Sequence, residues 1–229
     1  MAPATAPKAG GDDTIAWVAP FLAFVGFMAL EKMLPLSPAL LYALRAGLSL
    51  AVMLVFSRRV IVWEPSQAVA SVALGVAVFV IWIGPDLFWT GWRHLPLFEN
   101  KLLGAASSSL PPGLKTNIGF IAIRVFGSVA LVPILEELFW RGWLMRWLIS
   151  QDFRKVPLGA YAPFAFWITA LLFASEHGSY WDVGLITGVI YNWWMVRTRN
   201  LTNCIIAHAV TNACLAAYVL AADRWQYWL

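Results

Sequence analysis

Three short stretches of this chain place acid–base groups in an otherwise apolar setting. In PILEELFWRGWLMRWL, Pro133 to Leu148, the residues Glu136, Glu137 and Arg141 fall within one helical segment. Glu137 and Arg141 are an i,i+4 pair and share a face, whereas Glu136 points about 100° away because a helix turns once in ~3.6 residues. One carboxylate can therefore pair with the arginine while the other faces a cavity or takes a partner from another helix. In LLFASEHGSYW, His177 ends an apolar helix just before Gly178, a helix-stop residue, and Phe173 lies one turn earlier on the same face. In NCIIAHAVTNACLAAYVL, His208 and Asn212 lie one turn apart on an apolar helix.

Each stretch alone also has a purely structural reading. Glu137 with Arg141 could be an ion pair that steadies a bundle, His177 an interface residue, and His208 with Asn212 an interhelical hydrogen-bond pair. Cys204, one turn before His208, adds a metal-ligand option. Glu136 fits none of these, and an ionisable group at a helix centre in a bilayer costs about 2.5–3.5 kcal/mol. Taken together, a carboxylate, two imidazoles and an amide from three helices make up a base, a proton carrier and oxyanion donors for attack of water on a carbonyl.

Membrane helices must position these groups. Of the 229 residues 61% are hydrophobic and 12% charged, and the mean hydropathy is +0.71, far from the balance of soluble domains. Apolar runs at 15–34, 39–57, 67–88, 117–149, 162–177, 183–197 and 201–222 approach the roughly 20 residues that cross about 30 Å of hydrocarbon. The expected fold is all-α: a polytopic bundle of seven to eight transmembrane helices with the site buried among the later ones. The run 117–149 is too long for one straight crossing. It is either a long tilted helix or a span joined to an interfacial one. An eighth helix has room only between Pro85 and Lys115, a connection rich in aromatics, charges and Pro.

Residues 1–14, small and polar, read as a disordered tail without the basic cluster of a secretory leader. Residues 15–229 read as one transmembrane domain, with a core at about 117–222. The net charge of +4 comes from scattered basic residues near span ends, so the chain is expected to contact lipid headgroups and no nucleic acid. Lys8, Arg58, Arg59, Arg146, Arg154, Lys155, Arg197 and Arg199 alternate with a smaller set, Lys32, Arg93, Lys101, Lys115 and Arg224. By the positive-inside rule the N-terminus is cytoplasmic. Cys204 and Cys214 sit too far apart on one helix to form a disulfide.

At these residues the chain resembles a known family. EELFWR fits EExxxR, FASEH fits FxxxH and HAVTN fits HxxxN, in the order expected of the CAAX-processing and bacteriocin-processing (CPBP, or Abi) intramembrane proteases. The resemblance covers about residues 117–222. It implies that Glu136 activates water together with His177, that Glu137 and Arg141 support the site, that His208 and Asn212 stabilise the oxyanion, and that Phe173 shapes the pocket. It further implies a glutamate mechanism without a cofactor. A Zn²⁺ ion, the less favoured alternative, would take Glu136, His177 and His208 and keep an open water position.

The N-terminal stretch WVAPFLAFVGFMALE also resembles a branch of CAAX protease-related proteins found beside bacterial exosortase sorting systems. The expected activity is an intramembrane endopeptidase that cuts near the membrane end of a tethered peptide or protein, in a bacterial inner (cytoplasmic) membrane, with exosortase components as further partners. Two other classes compete. A non-catalytic scaffold, immunity or assembly protein would keep the bundle and use the polar cluster for packing. A proton-coupled transporter would also bury Glu and His, but no inverted repeat is visible.

Overall fold

The computed structural model describes residues 13–100, 103–108 and 110–228. Most of the expected N-terminal tail lies outside the described residues, and the first helix already begins at Asp13.

Seven long helical segments follow one another, with no strand among the described residues. They are α1 (Asp13–Leu30), α2 (Pro38–Ser57), α3 (Ala68–Phe88), α4 (Ile118–Trp147) and α7 (Leu201–Ala222), with α5 (Pro163–Ser175) and α6 (Trp181–Thr198) between the last two. The stretches α1, α2, α3, α4 and α7 are long and apolar enough to cross a membrane. Two of the seven expected spans depart from that: α5 has 13 residues, about 20 Å of helix, and α6 carries Asp182, Asn192 and Arg197. They pack against each other and against the bundle. Between Pro85 and Lys115 the described residues form only single turns, Trp92–His94 and Pro112–Lys115, and no eighth span.

The run from 118 onward is one continuous helix rather than a span plus an interfacial piece. Its 30 residues would measure about 45 Å as a regular helix. Two wide, π-type stretches interrupt it, at Gly127–Leu131 and Leu138–Leu144. The first ends two residues before Pro133, whose missing N–H and ring clash with the preceding turn call for a local widening. The second holds Arg141. Asparagines cap the starts of α4 and α7: Asn117 Oδ1 accepts from Phe120 N at 3.0 Å and Asn200 Oδ1 accepts from Asn203 N at 3.1 Å.

Side chains fasten the two ends of the bundle. At one end Thr202 donates to the Val62 carbonyl (2.6 Å), Asn200 to the Glu64 carbonyl (2.8 Å) and Asn203 to Ser66 Oγ (3.0 Å), joining the start of α7 to the α2–α3 connection. At the other end Arg93 bonds Asp86 (2.9 Å) and Asp182 (2.5 Å), while Tyr227 donates to Asp86 (2.8 Å). Not every basic residue meets headgroups, however. Arg45, Arg93 and Arg146 are all buried, and the Arg146 guanidinium lies 4.8 Å from the Trp17 ring and 4.9 Å from Phe153. Cys204 and Cys214 are both free thiols on α7.

A close helix contact joins α3 to α7 at Gly75. A Cβ there would stand 2.8 Å from Val210 Cβ and press on the Ala207 carbonyl. Gly75→Val is expected to lower bundle stability by about 1–3 kcal/mol, the cost of overpacking. Unfolding of the purified protein in a detergent–denaturant titration measures it.

Candidate active site

The site is built from α4, α5, α6 and α7. At its base Glu137 and Arg141 are fully buried and bonded, Arg141 Nη1 donating to Glu137 Oε1 at 3.0 Å. The pairing expected from the i,i+4 spacing is present, and the structure adds its surroundings. Arg141 Nε donates to Asn192 Oδ1 at 2.9 Å, and Nη2 lies 3.4 Å from the Gly188 carbonyl. Asn192 in turn donates to the Phe166 carbonyl at 2.8 Å. The guanidinium sits 4.5 Å from the Phe173 ring centroid. A buried ion pair is tolerated only when such further bonds satisfy its remaining donors.

Glu137 has a second partner on a distant helix. His208 Nδ1 lies 2.9 Å from Glu137 Oε1. An ionised carboxylate only accepts, so Nδ1 carries the hydrogen and Nε2 remains for other work. His177 is fixed in the same manner by its own helix: Nδ1 lies 2.8 Å from the Phe173 carbonyl, an acceptor, which leaves Nε2 as the ring's free acceptor in the neutral form. The local chain makes this possible, since α5 ends at Ser175 and Gly178 turns the backbone with φ 50°, a conformation that costs glycine little.

One cavity of about 370 Å³ is lined by Glu136, Phe173, His177, His208 and Asn212 together. Glu137 and Arg141 are not among its lining residues, so the two adjacent carboxylates are separated as the helical period requires: one behind the wall, one in it. Glu136 Oε2 is buried and makes no hydrogen bond among the described residues. Asn212 donates to the Ser128 carbonyl at 2.8 Å, and an amide nitrogen carries a second hydrogen. An apolar stripe of α1, Phe21, Phe24, Val25 and Met28, closes the cavity's opposite wall.

All seven residues singled out in the sequence lie in or directly behind this cavity. Two others were missed there. Asn192, which holds Arg141, was visible as a polar residue inside the apolar run 183–197. Glu176, a second carboxylate on the cavity wall, stands inside the quoted FASEH and was passed over for its neighbour. Among the described residues no three His, Cys, Asp or Glu side chains come together as a group that could hold a metal ion.

Residues 118–214 match the family model Rce1-like, type II CAAX prenyl endopeptidase Rce1-like, and this part of the chain is similar to that family. The match spans α4 to the middle of α7, the helices that carry all seven residues, and does not reach the Trp17–Glu31 stretch. No curated protein and no solved structure matches the chain at significant similarity. With five helices long and apolar enough to cross a membrane, the chain fits an integral, multi-pass membrane protein whose later half is similar to a peptidase family.

The ion pair makes a prediction about stability. Arg141→Met leaves Glu137 buried without its cation and should cost about 3–5 kcal/mol. The check is unfolding of the variant beside wild type, and a loss under about 1 kcal/mol would contradict this reading of the network.

Proposed function

We propose that this protein, similar over residues 118–214 to the Rce1-like family, is an intramembrane endopeptidase that hydrolyses a peptide bond near the membrane end of a tethered substrate, with water activated by Glu136. The observation that carries this reading is the convergence of Glu136, His177, His208 and Asn212 on one cavity from three helices, while Glu137 and Arg141 stand behind it. Polar groups inside a bilayer are tolerated where they line such a cavity.

In this mechanism the Glu136 carboxylate takes a proton from water, and the resulting hydroxide forms a bond to the scissile carbonyl carbon. The carbonyl oxygen gains the electron pair of its π bond. Asn212, through the amide hydrogen not used on Ser128, and His208, through a protonated Nε2, donate to that oxyanion. The C–N bond then breaks, and the proton held between Glu136 and His177 passes to the leaving nitrogen. Glu137 orients His208, and Arg141 with Asn192 holds Glu137. Phe173 shapes the wall between the two histidines, its ring centroid lying 4.7 Å from that of His177 and 6.2 Å from that of His208.

The proposed substrate is a membrane-tethered peptide or protein, either a prenylated CAAX tail or a sorting tail of the exosortase type. The proposed setting is a bacterial inner membrane with the N-terminus on the cytoplasmic side. The basic residues support that orientation: Arg58, Arg59, Arg154, Lys155, Arg197 and Arg199 gather at the end of the bundle where α7 begins.

Glu136→Gln keeps the shape and removes the base. It should lower cleavage of a responsive tethered peptide in liposomes by about 10²–10⁴-fold while leaving the unfolding transition in place. Full activity in that variant would end the assignment. Cleavage by the wild type is expected to be indifferent to a chelator, and loss of activity that Zn²⁺ restores would replace this mechanism with a metal-dependent one.

A further inference from the structure

Beside the site cavity lies a second one, of about 480 Å³, lined by Asp86, Arg93, Lys115, Asp223, Arg224 and Gln226 among others. One residue, Tyr180, lines both cavities. The chain beyond α7 also runs along both: Asp223 to Gln226 border the polar cavity, and Tyr227 and Trp228 border the site cavity. Tyr180 and the segment 226–228 therefore form a partition that both cavities touch.

The two sides of this partition differ in chemistry. On the α1 side the site cavity has an apolar wall, Phe21, Phe24, Val25 and Met28 with Trp82 of α3, while Arg124, Glu176, Thr187 and Thr211 line it elsewhere. Such a wall suits a hydrocarbon-borne substrate and offers nothing to water. The polar cavity sits at the end of the bundle where α3 and α7 finish and α4 starts, and of its lining residues only Asp86 belongs to one of the five spanning helices. Its floor is fixed, since Arg93 bonds Asp86, Asp182 and the Ser179 carbonyl at 2.9, 2.5 and 2.9 Å. The Tyr180 ring lies over that guanidinium at 4.4 Å and beside Tyr227 at 5.4 Å. The polar contact from Tyr180 across the partition is long: its hydroxyl donates to the Gln226 carbonyl at 3.3 Å.

We propose that the polar cavity is the aqueous port of the buried site, by which water enters and the hydrophilic cleavage fragment leaves, and that the Tyr180–Gln226 hydrogen bond is the latch on its inner wall. The proposal rests on the hydrolytic reading of the site, because a peptidase in a bilayer must import one water for each bond it breaks. The partition is then a moving part, while Arg93 and its partners are the frame it closes against.

The test reads accessibility and needs no substrate. In a chain carrying Cys204→Ala and Cys214→Ala, the substitution Ser128→Cys puts one thiol on the wall of the site cavity. Proteoliposomes are treated with the membrane-impermeant cation 2-(trimethylammonium)ethyl methanethiosulfonate, and the modification rate is read by mass spectrometry. Ser108→Trp, which fills part of the polar cavity, should lower that rate at least about 10-fold. Tyr180→Phe, which removes the latch and keeps the ring, should raise it about 3–10-fold, about what loss of one weak hydrogen bond permits. Ser107→Trp serves as a second block if Ser108→Trp does not purify as a folded protein. Modification that ignores both blocks, or an introduced thiol that stays unreactive even with Tyr180→Ala, would overturn the port. Failure of the hydrolytic reading would appear as retained cleavage in Glu136→Gln, and failure of the port as labelling that ignores the blocks.

Discussion

A charged pair with no exposure at all, Glu137 with Arg141, is the constraint on which the rest of this bundle depends. Two ions taken out of water cost several kcal/mol each, and their mutual attraction offsets that only if the remaining donors find partners. The chain meets the condition with groups from elsewhere: Asn192 and the Gly188 carbonyl from α6, and His208 from α7. Asn192 extends the link to α5 at the Phe166 carbonyl. Four helices are thereby held in one relative placement by groups whose separation would strand a buried charge. Apolar packing alone, which lets side chains exchange positions at little cost, would not fix them so closely.

The same network explains how two neighbouring glutamates acquire different surroundings. The helical period turns Glu136 away from Arg141, and the cavity lies on that side. Glu137 then serves as the fixed point from which His208 is aimed, its Nδ1 committed so that Nε2 is left over, much as His177 is committed by the Phe173 carbonyl. The wide π-type stretch at Leu138–Leu144 lies where Arg141 must reach both Glu137 on its own helix and Asn192 on another. Local widenings of this kind are frequent at functional sites.

Much of the fold and of the candidate site could be read from residue types and their spacing. The seven apolar runs match the seven helices, and the rarity of polar residues in hydrocarbon singles out Glu136, Glu137, Arg141, His177, His208 and Asn212. What stayed hidden has physical causes. α5 stops two residues short of the run 162–177 because Glu176 and His177, counted with that run, already belong to the turn at Gly178. Asn192 escaped because a lone amide in an apolar run has many partners open to it, and only the folded chain shows that its partner is Arg141. Arg93 reads in the sequence as a headgroup contact, since Asp182, which neutralises it, lies 89 positions away. Spacing also cannot reveal which nitrogen of each histidine is engaged; that depends on a carboxylate from another helix in one case and a carbonyl one turn back in the other.

The division of labour between adjacent carboxylates is tested most directly by measuring cleavage rate and unfolding free energy on the same four proteins: wild type, Glu136→Gln, Glu137→Gln and the double variant. The expected pattern is a loss of rate with little change in stability for Glu136→Gln and a loss of several kcal/mol for Glu137→Gln, as befits one partner removed from a buried pair. The double variant should be no slower than Glu136→Gln alone, since a site without its base has little left for orientation to improve. Stability lost at Glu136 and kept at Glu137 would contradict that division, because the cavity-facing carboxylate would then be the structural one.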